Sequence, residues 1–430
     1  MILIILFIFA ILLLIVISGK IEYTSKLFIL SFQIIWCVVL VASTFQPYDL
    51  YLPDDYTYFL LITNVVCFSF GFMVLKRFRG RILNLSSVDI AADNLLKNIK
   101  FKILVIIAGL ISLYYFSIFQ AALNVAGNLG EVRTEYYSGE LLGPTYSVIN
   151  GVFLQPMLII CYPLLGYALY RRNWMIVPVL LFMILINSLS GGRFGYVKIF
   201  YALIFFFGCV KRLNKKKIIG LSAGALLLFF SLAYVTAGRS DASGNTFDRI
   251  ERGIDGTLEH ITTYACGATV ALDYSIEHDY TNQIDGHTYG TITGSSIVQV
   301  AYIICNKIGL PFEQPMEKLG KLKQNSYISV GKSRPFNALY TSVLFFYTDF
   351  GLLGVILIPF LLGMLCRFLI KKFLTYQTFP LLILITYCYI LSMFSITDFN
   401  FTTYTSLFMV ILLYWLGIKK GKKNKISQPK

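Results

Sequence analysis

The sequence predicts an all-α, polytopic integral membrane protein with about eleven spanning helices and one large extracytoplasmic loop. Three observations carry that expectation. Of 430 residues, 57% are hydrophobic and only 14% are charged, against roughly a quarter charged in ordinary soluble domains. Aromatic content reaches 16%, and aromatic rings anchor helices at the lipid–water boundary. The apolar residues come in continuous runs long enough to cross about 30 Å of hydrocarbon. A membrane β-barrel would instead alternate apolar and polar residues in short segments.

The runs fall near residues 1–18, 27–45, 57–75, 101–120, 147–170, 173–190, 194–210, 218–237, 342–366, 374–396 and 399–418. The first lacks a basic start and an A-x-A cleavage site before Lys20, so it reads as a retained helix. The sixth and seventh nearly touch, which fits either two spans or one broken, re-entrant element.

The connections alternate in charge. Lys20 and Lys26 follow the first run, whereas the next connection holds Asp49, Asp54 and Asp55 and no basic residue. Lys76, Arg77, Arg79 and Arg81 open the third connection; Arg171 and Arg172 mark the fifth; Lys211, Arg212 and Lys215 to Lys217 mark the seventh. Arg367, Lys371 and Lys372 mark the ninth, and the tail carries Lys419, Lys420, Lys422, Lys423 and Lys425. Basic loops stay in the cytoplasm. The expectation is therefore an outside N-terminus, a first bundle over 1–237, an extracytoplasmic segment over 238–341, the last spans over 342–418 and a cytoplasmic tail over 419–430.

The net charge of +15 is thus a topology signal, and nucleic acid is not an expected partner. The eight cysteines form neither a CxxC nor a Cys/His cluster at zinc spacing, so no metal and no cofactor is expected. Most lie in or beside apolar runs and read as buried small hydrophobes. Cys266 and Cys305 fall in the large loop, and the sequence leaves their pairing open.

Candidate chemistry sits where charge breaks the pattern. Arg133, Arg193, Arg239 and Arg334 all fall on expected outer connections or span ends. A guanidinium offers a fixed fork of donors suited to phosphate or pyrophosphate. Arg193, in Ser190-Gly-Gly-Arg-Phe-Gly195, and Arg239, in Thr236-Ala-Gly-Arg-Ser240, are flanked by small residues that let a ligand approach the backbone. The alternative for each is a headgroup contact or a local ion pair. All three histidines, His260, His278 and His287, lie in the large loop. His260 is the candidate base, because Thr257 to Asp273 has apolar residues at helical spacing, consistent with an amphipathic helix on the outer leaflet. Asp349 lies inside an apolar run, where an acid is costly and faces a cavity or a partner; Asp398 falls at the turn between the last two runs.

Asn337-Ala-Leu-Tyr340-Thr341, then Asp349-Phe-Gly351-Leu-Leu-Gly354 entering an apolar run, resembles the bacterial oligosaccharide repeat-unit polymerases, the Wzy-type O-antigen and capsule polymerases. Ser190-Gly-Gly-Arg193 is similar to their small-residue-plus-Arg element, and the plan of many spans with one late, large outer loop also fits. The Arg-x10-Gly pattern of some members is not matched, since the glycine nearest that spacing after Arg133 is Gly143. The resemblance implies a GT-C-like glycosyltransferase of the bacterial cytoplasmic membrane. It would work at the outer face on undecaprenyl-pyrophosphate-linked glycans, with membrane lipid and a chain-length regulator as partners. Catalysis would rest on His260 and Asp349, and Arg193, Arg239, Arg133 and Arg334 would hold pyrophosphate or glycan. A ligase moving finished glycan to another acceptor, or a flippase for lipid-linked glycan, remains an alternative reading of the same residues.

Overall fold

The computed structural model describes residues 1–19, 21–75, 92–126, 143–188, 194–210, 246–310, 312–325, 328–332, 335–336, 339–399 and 403–416. Helices α1 (Ile2–Ser18), α2 (Tyr23–Thr44), α3 (Asp55–Val74) and α4 (Ile99–Ala126) come first. They are followed by α5 (Gly143–Ile149), α6 (Gln155–Arg171), α7 (Val177–Ser188) and α8 (Phe194–Val210). The later segment contains α9 (Thr246–Glu277), α10 (Tyr280–Gln283), α11 (Ser295–Lys307) and α12 (Pro315–Asn325). The chain ends with α13 (Ser342–Tyr376), α14 (Phe379–Phe394) and α15 (Tyr404–Trp415). The described residues are all-α apart from two-residue strands β1 (Ile328–Ser329) and β2 (Pro335–Phe336), which pair antiparallel.

Five helical stretches among the described residues are long and apolar enough to cross a membrane: α2, α3, α4, the stretch 150–171 ending α6, and α13. The apolar helices α1, α14, α15 and most of α8 are shorter. The chain is a multi-pass membrane protein. The expected run at 218–237 lies outside the described residues, as do the basic stretches 76–81 and 211–217.

The chain divides into two compact units. The first comprises residues 1–77, 229–367 and 391–404. Within it α2 and α3 pack through aromatic side chains. Phe28 stacks on Phe72 at 5.5 Å and Phe32 meets Phe68 at 4.2 Å between ring centroids. Two polar links cross the same interface, Gln33 donating to Ser69 (3.0 Å) and Ser43 bonding Tyr58 (2.9 Å). Buried side-chain hydrogen bonds substitute for the water that a lipid-embedded helix lacks. Helix α3 also meets α13 backbone to backbone. A Cβ added at Gly71 would stand 1.9 Å from the Phe360 carbonyl oxygen, and one at Gly363 would stand 2.2 Å from that of Phe68. Only glycine permits that crossing.

Arg367 departs from its expected place in a basic connection. Helix α13 continues unbroken past it to Tyr376. Its guanidinium is buried, bonding Ser25 Oγ and pairing with Glu22. The basic character of that stretch therefore rests on Lys371 and Lys372.

The second unit comprises residues 78–228, 368–390 and 405–430. Its centre is α6, buried continuously from Pro156 to Ala168. Pro156 has no N–H to give the carbonyl one turn earlier, and the preceding turn, Asn150–Leu154, widens to π-helix. Gly166 lets Phe206 of α8 seat against α6, since a Cβ there would lie 2.7 Å from the ring. Phe205 stacks on Tyr389 of α14 at 4.5 Å. At the end of α6, Tyr167 donates to Asp93 (2.6 Å) and Arg171 stands 3.6 Å from the same carboxylate.

Candidate functional site

The stretch from α9 to β2 folds into a cap on the first unit. The expected amphipathic helix at Thr257 to Asp273 is present but longer, because α9 starts at Thr246 and ends at Glu277. Its second half packs on α2 and α3, burying Cys266, Ala268, Val270, Ala271 and Leu272. Leu258 and Ile261 in its first half are exposed. Cys266 and Cys305 are both free thiols.

Three joints fasten the cap. In the first, Asp273 of α9 accepts hydrogen bonds from the Asp54 backbone N–H (3.0 Å) and the Thr57 hydroxyl (2.6 Å). Asp54 is the N-cap residue of α3 and supplies no side-chain cap itself. Asp273 does that work from another helix, satisfying donors that a helix start leaves open. Burial pushes the Asp273 carboxyl up from its ordinary value, against the lowering effect of these two hydrogen bonds.

In the second joint, residues 49–51 run beside 330–332. Tyr51 N–H donates to the Val330 carbonyl (2.8 Å), and Leu50 bridges Gly331. A Cβ at Gly331 would stand 2.5 Å from the Asp49 carbonyl oxygen, so the close approach requires glycine.

The third joint is Asp349. Its side chain is wholly buried. One carboxylate oxygen accepts from the Thr288 hydroxyl and the Ile292 N–H (3.1 Å); the other accepts from the Thr293 N–H (2.7 Å) and the Thr293 hydroxyl. Main-chain bonds from Thr288 to Thr348 and from Tyr289 to Asp349 reinforce the seam. Helix α13 breaks immediately afterwards, at Phe350 (φ −142°) and Gly351 (φ 59°, ψ −142°). The Gly351 conformation is essentially closed to other residues. His287 packs against Gly351 and bonds the Thr348 carbonyl through Nδ1 (3.1 Å), while Phe350 meets Tyr289 edge-on at 6.3 Å. Gly354 allows the helix to resume, because a Cβ there would lie 2.0 Å from the Phe346 carbonyl oxygen. The Asp-Phe-Gly-x-x-Gly run is thus a structural joint. Asp349, expected to react, is fully engaged as a hydrogen-bond acceptor, and this geometry supports an anchoring role.

His260 belongs to a separate cluster. It is exposed on α9, stacked on Tyr264 at 6.2 Å, and Tyr264 in turn lies 6.3 Å from Phe336 of β2. Arg133, Arg193, Arg239 and Arg334 lie outside the described residues. Among the described residues no group of three or more His, Cys, Asp or Glu could hold a metal ion.

Sequence reasoning missed Lys323. It sits on α12 four residues after Leu319, on the same helical face, and shares that residue's burial. A lysine at an apolar-stripe position was the signal available. No family model matches the chain, and neither a curated protein nor a solved structure matches it.

Proposed function

We propose that this protein polymerises undecaprenyl-pyrophosphate-linked oligosaccharide repeat units, at the outer face of the bacterial cytoplasmic membrane, into O-antigen or capsular polysaccharide. The observation that carries the reading is the folded cap. Residues 246–336 are fastened to the connection 46–58, which is acidic and free of basic residues, so the positive-inside rule assigns this face to the exterior. A catalytic surface built there meets substrates already carried across the membrane.

In this reading the acceptor hydroxyl oxygen attacks the anomeric carbon of the donor chain. The sugar–phosphate C–O bond breaks, and undecaprenyl pyrophosphate leaves with the electron pair. The hydroxyl proton passes to His260, exposed on the cap. Arg193 and Arg239, helped by Arg133 and Arg334, balance the charge that develops on the pyrophosphate. Asp349 positions the segment around His287. The exposed apolar side chains Ile297, Ile304 and Ile308 of α11 and its C-terminal flank suit a helix lying in the lipid headgroup boundary, where a lipid-linked glycan would be presented.

The test is the surface glycan of a deletion strain. Loss of a polymerase leaves single repeat units displayed while long chains vanish. Loss of a flippase removes even the single unit, and loss of a ligase leaves long chains unattached to their acceptor. Either of the last two patterns overturns the proposal.

A further inference from the structure

Lys323 is 9% exposed, yet it is a lysine. Its ammonium stands 4.9 Å from the Tyr340 ring centroid and 5.0 Å from that of Phe345. Cation–π attraction holds such a group in place without neutralising it. Among the described residues no carboxylate comes within the 4.0 Å of an ion pair. Burial lowers the ammonium from its ordinary value, and the field of Asp398 opposes this only in part. The Asp398 carboxylate is itself engaged, accepting from the Phe399 N–H at 2.8 Å.

The two rings flank the start of α13, and between them in the chain lie Thr341 and Ser342. Their side chains are 0% and 1% exposed, and neither hydroxyl has a hydrogen-bond partner. Buried hydroxyls without partners are uncommon and costly. The backbone at this helix start is already engaged, the Ser342 N–H donating to the Ser395 carbonyl (2.8 Å) and the Leu344 N–H to the Thr341 carbonyl (3.1 Å), so the two hydroxyls are the donors left over. A buried ammonium held against the Tyr340 and Phe345 rings and two buried hydroxyls lying between those residues in the chain thus have no hydrogen-bond acceptor. The feature they lack in common is a compact anion with several acceptor oxygens.

We propose that Lys323, Thr341 and Ser342 form a binding site for a phosphoryl group. A tetrahedral oxyanion fits this donor set better than a carboxylate, because it offers acceptors in several directions at once. The phosphoryl group comes either from free phosphate or from a lipid headgroup. The inference stands apart from the polymerase reading, since its assay reads binding and no polymer.

The test uses the full chain in phosphatidylcholine nanodiscs. One arm titrates inorganic phosphate against chloride at matched ionic strength and reads the unfolding midpoint. The other replaces part of the lipid with phosphatidylglycerol. A ligand that binds only the folded state raises the midpoint saturably. The expected result is a saturable rise in at least one arm that weakens about tenfold or more in apparent Kd in Lys323→Met. The phosphate arm alone identifies a soluble ligand, and the phosphatidylglycerol arm alone identifies a lipid headgroup. If Lys323→Met fails to fold, the Thr341→Val, Ser342→Ala double variant gives the same reading. No saturable response in either arm, or an equal response in the variants, overturns the site.

Discussion

Arg367 Nη1 lies 2.6 Å from Glu22 Oε2, with the arginine side chain 2% exposed and the glutamate 16%. This ion pair joins α13 to the start of α2, and the guanidinium also lies 5.7 Å from the Phe72 ring. Its other terminal nitrogen has no partner. Breaking a buried pair from one side strands the remaining charge, at a cost of about 3–5 kcal/mol. Arg367→Met should therefore lower the unfolding midpoint in detergent clearly. Arg367→Met combined with Glu22→Gln should recover much of the loss. A double variant as unstable as the sum of two singles would show that the side chains act independently.

Asp273 gives a pH prediction. Its carboxyl is raised in the folded protein, chiefly by burial. A raised acid contributes stability that is fully present below its unfolded value and lost as pH rises through the folded value. Asp273→Asn keeps an acceptor for Thr57 and Asp54 but cannot ionise. It should match the wild type near pH 4 and equal or exceed it at pH 7. Asp273→Ala should lose about 1–2 kcal/mol, as a missing helix cap does. Unfolding midpoints across that pH range would decide it, and a deficit of Asp273→Asn confined to neutral pH would contradict the sign.

The Asp349 joint should fail in a graded way. Asp349→Ala leaves the N–H groups of Ile292 and Thr293 without acceptors, at about 1–3 kcal/mol each. Gly351→Ala forces a side chain into a glycine-only conformation, at about 1–3 kcal/mol. Both should expose the stretch 284–294 to protease before the rest of the chain yields. Uniform loss of protection would argue against a local joint.

Gly71→Leu or Gly363→Leu should prevent α3 and α13 from meeting and sharply reduce the yield of monodisperse protein. A conservative change one residue away, Phe70→Leu, falls on an exposed position and should be tolerated. Size-exclusion profiles compare them directly.

Reporter fusions address orientation. Those placed after Lys217 and at the C-terminus should report cytoplasm, and one near Ser326 should report the exterior. A cytoplasmic signal at Ser326 would reverse the face assigned to the cap and remove the main support for an outer-face enzyme.

Helix positions were legible because lipid demands continuous apolar length. The run at 57–75 is Asp55–Val74, and that at 194–210 is Phe194–Val210. The run at 342–366 continues to Tyr376, since Lys371 and Lys372 dilute hydropathy without ending a helix. Helix α9 extends ten residues or more before its apolar stripe begins, so periodicity alone understated it. Partners were the illegible part. Asp349 stood out as an acid in an apolar run, but nothing in the chain pointed to Ile292 and Thr293, more than fifty residues earlier. Asp273 entered only as the last residue of an apolar stripe, and Arg367 as one of several basic loop residues. In each case the residue type was visible and the long-range contact that gives it meaning was not.

The fastenings of the cap also limit how this unit can move. Asp273 ties α9 to the start of α3; Asp349 ties the stretch 288–293 to α13; Gly71 and Gly363 press α3 and α13 together. Three members joined pairwise at three points make a triangle, and the one break along its sides is the Phe350–Gly351 turn of α13. The cap is held at two separated points of this frame, Asp273 and Asp349, and so does not lift like a flap about one edge while both hold. On the polymerase reading proposed above, a lipid-linked glycan would arrive along a side of this truss, or one joint would open to admit it.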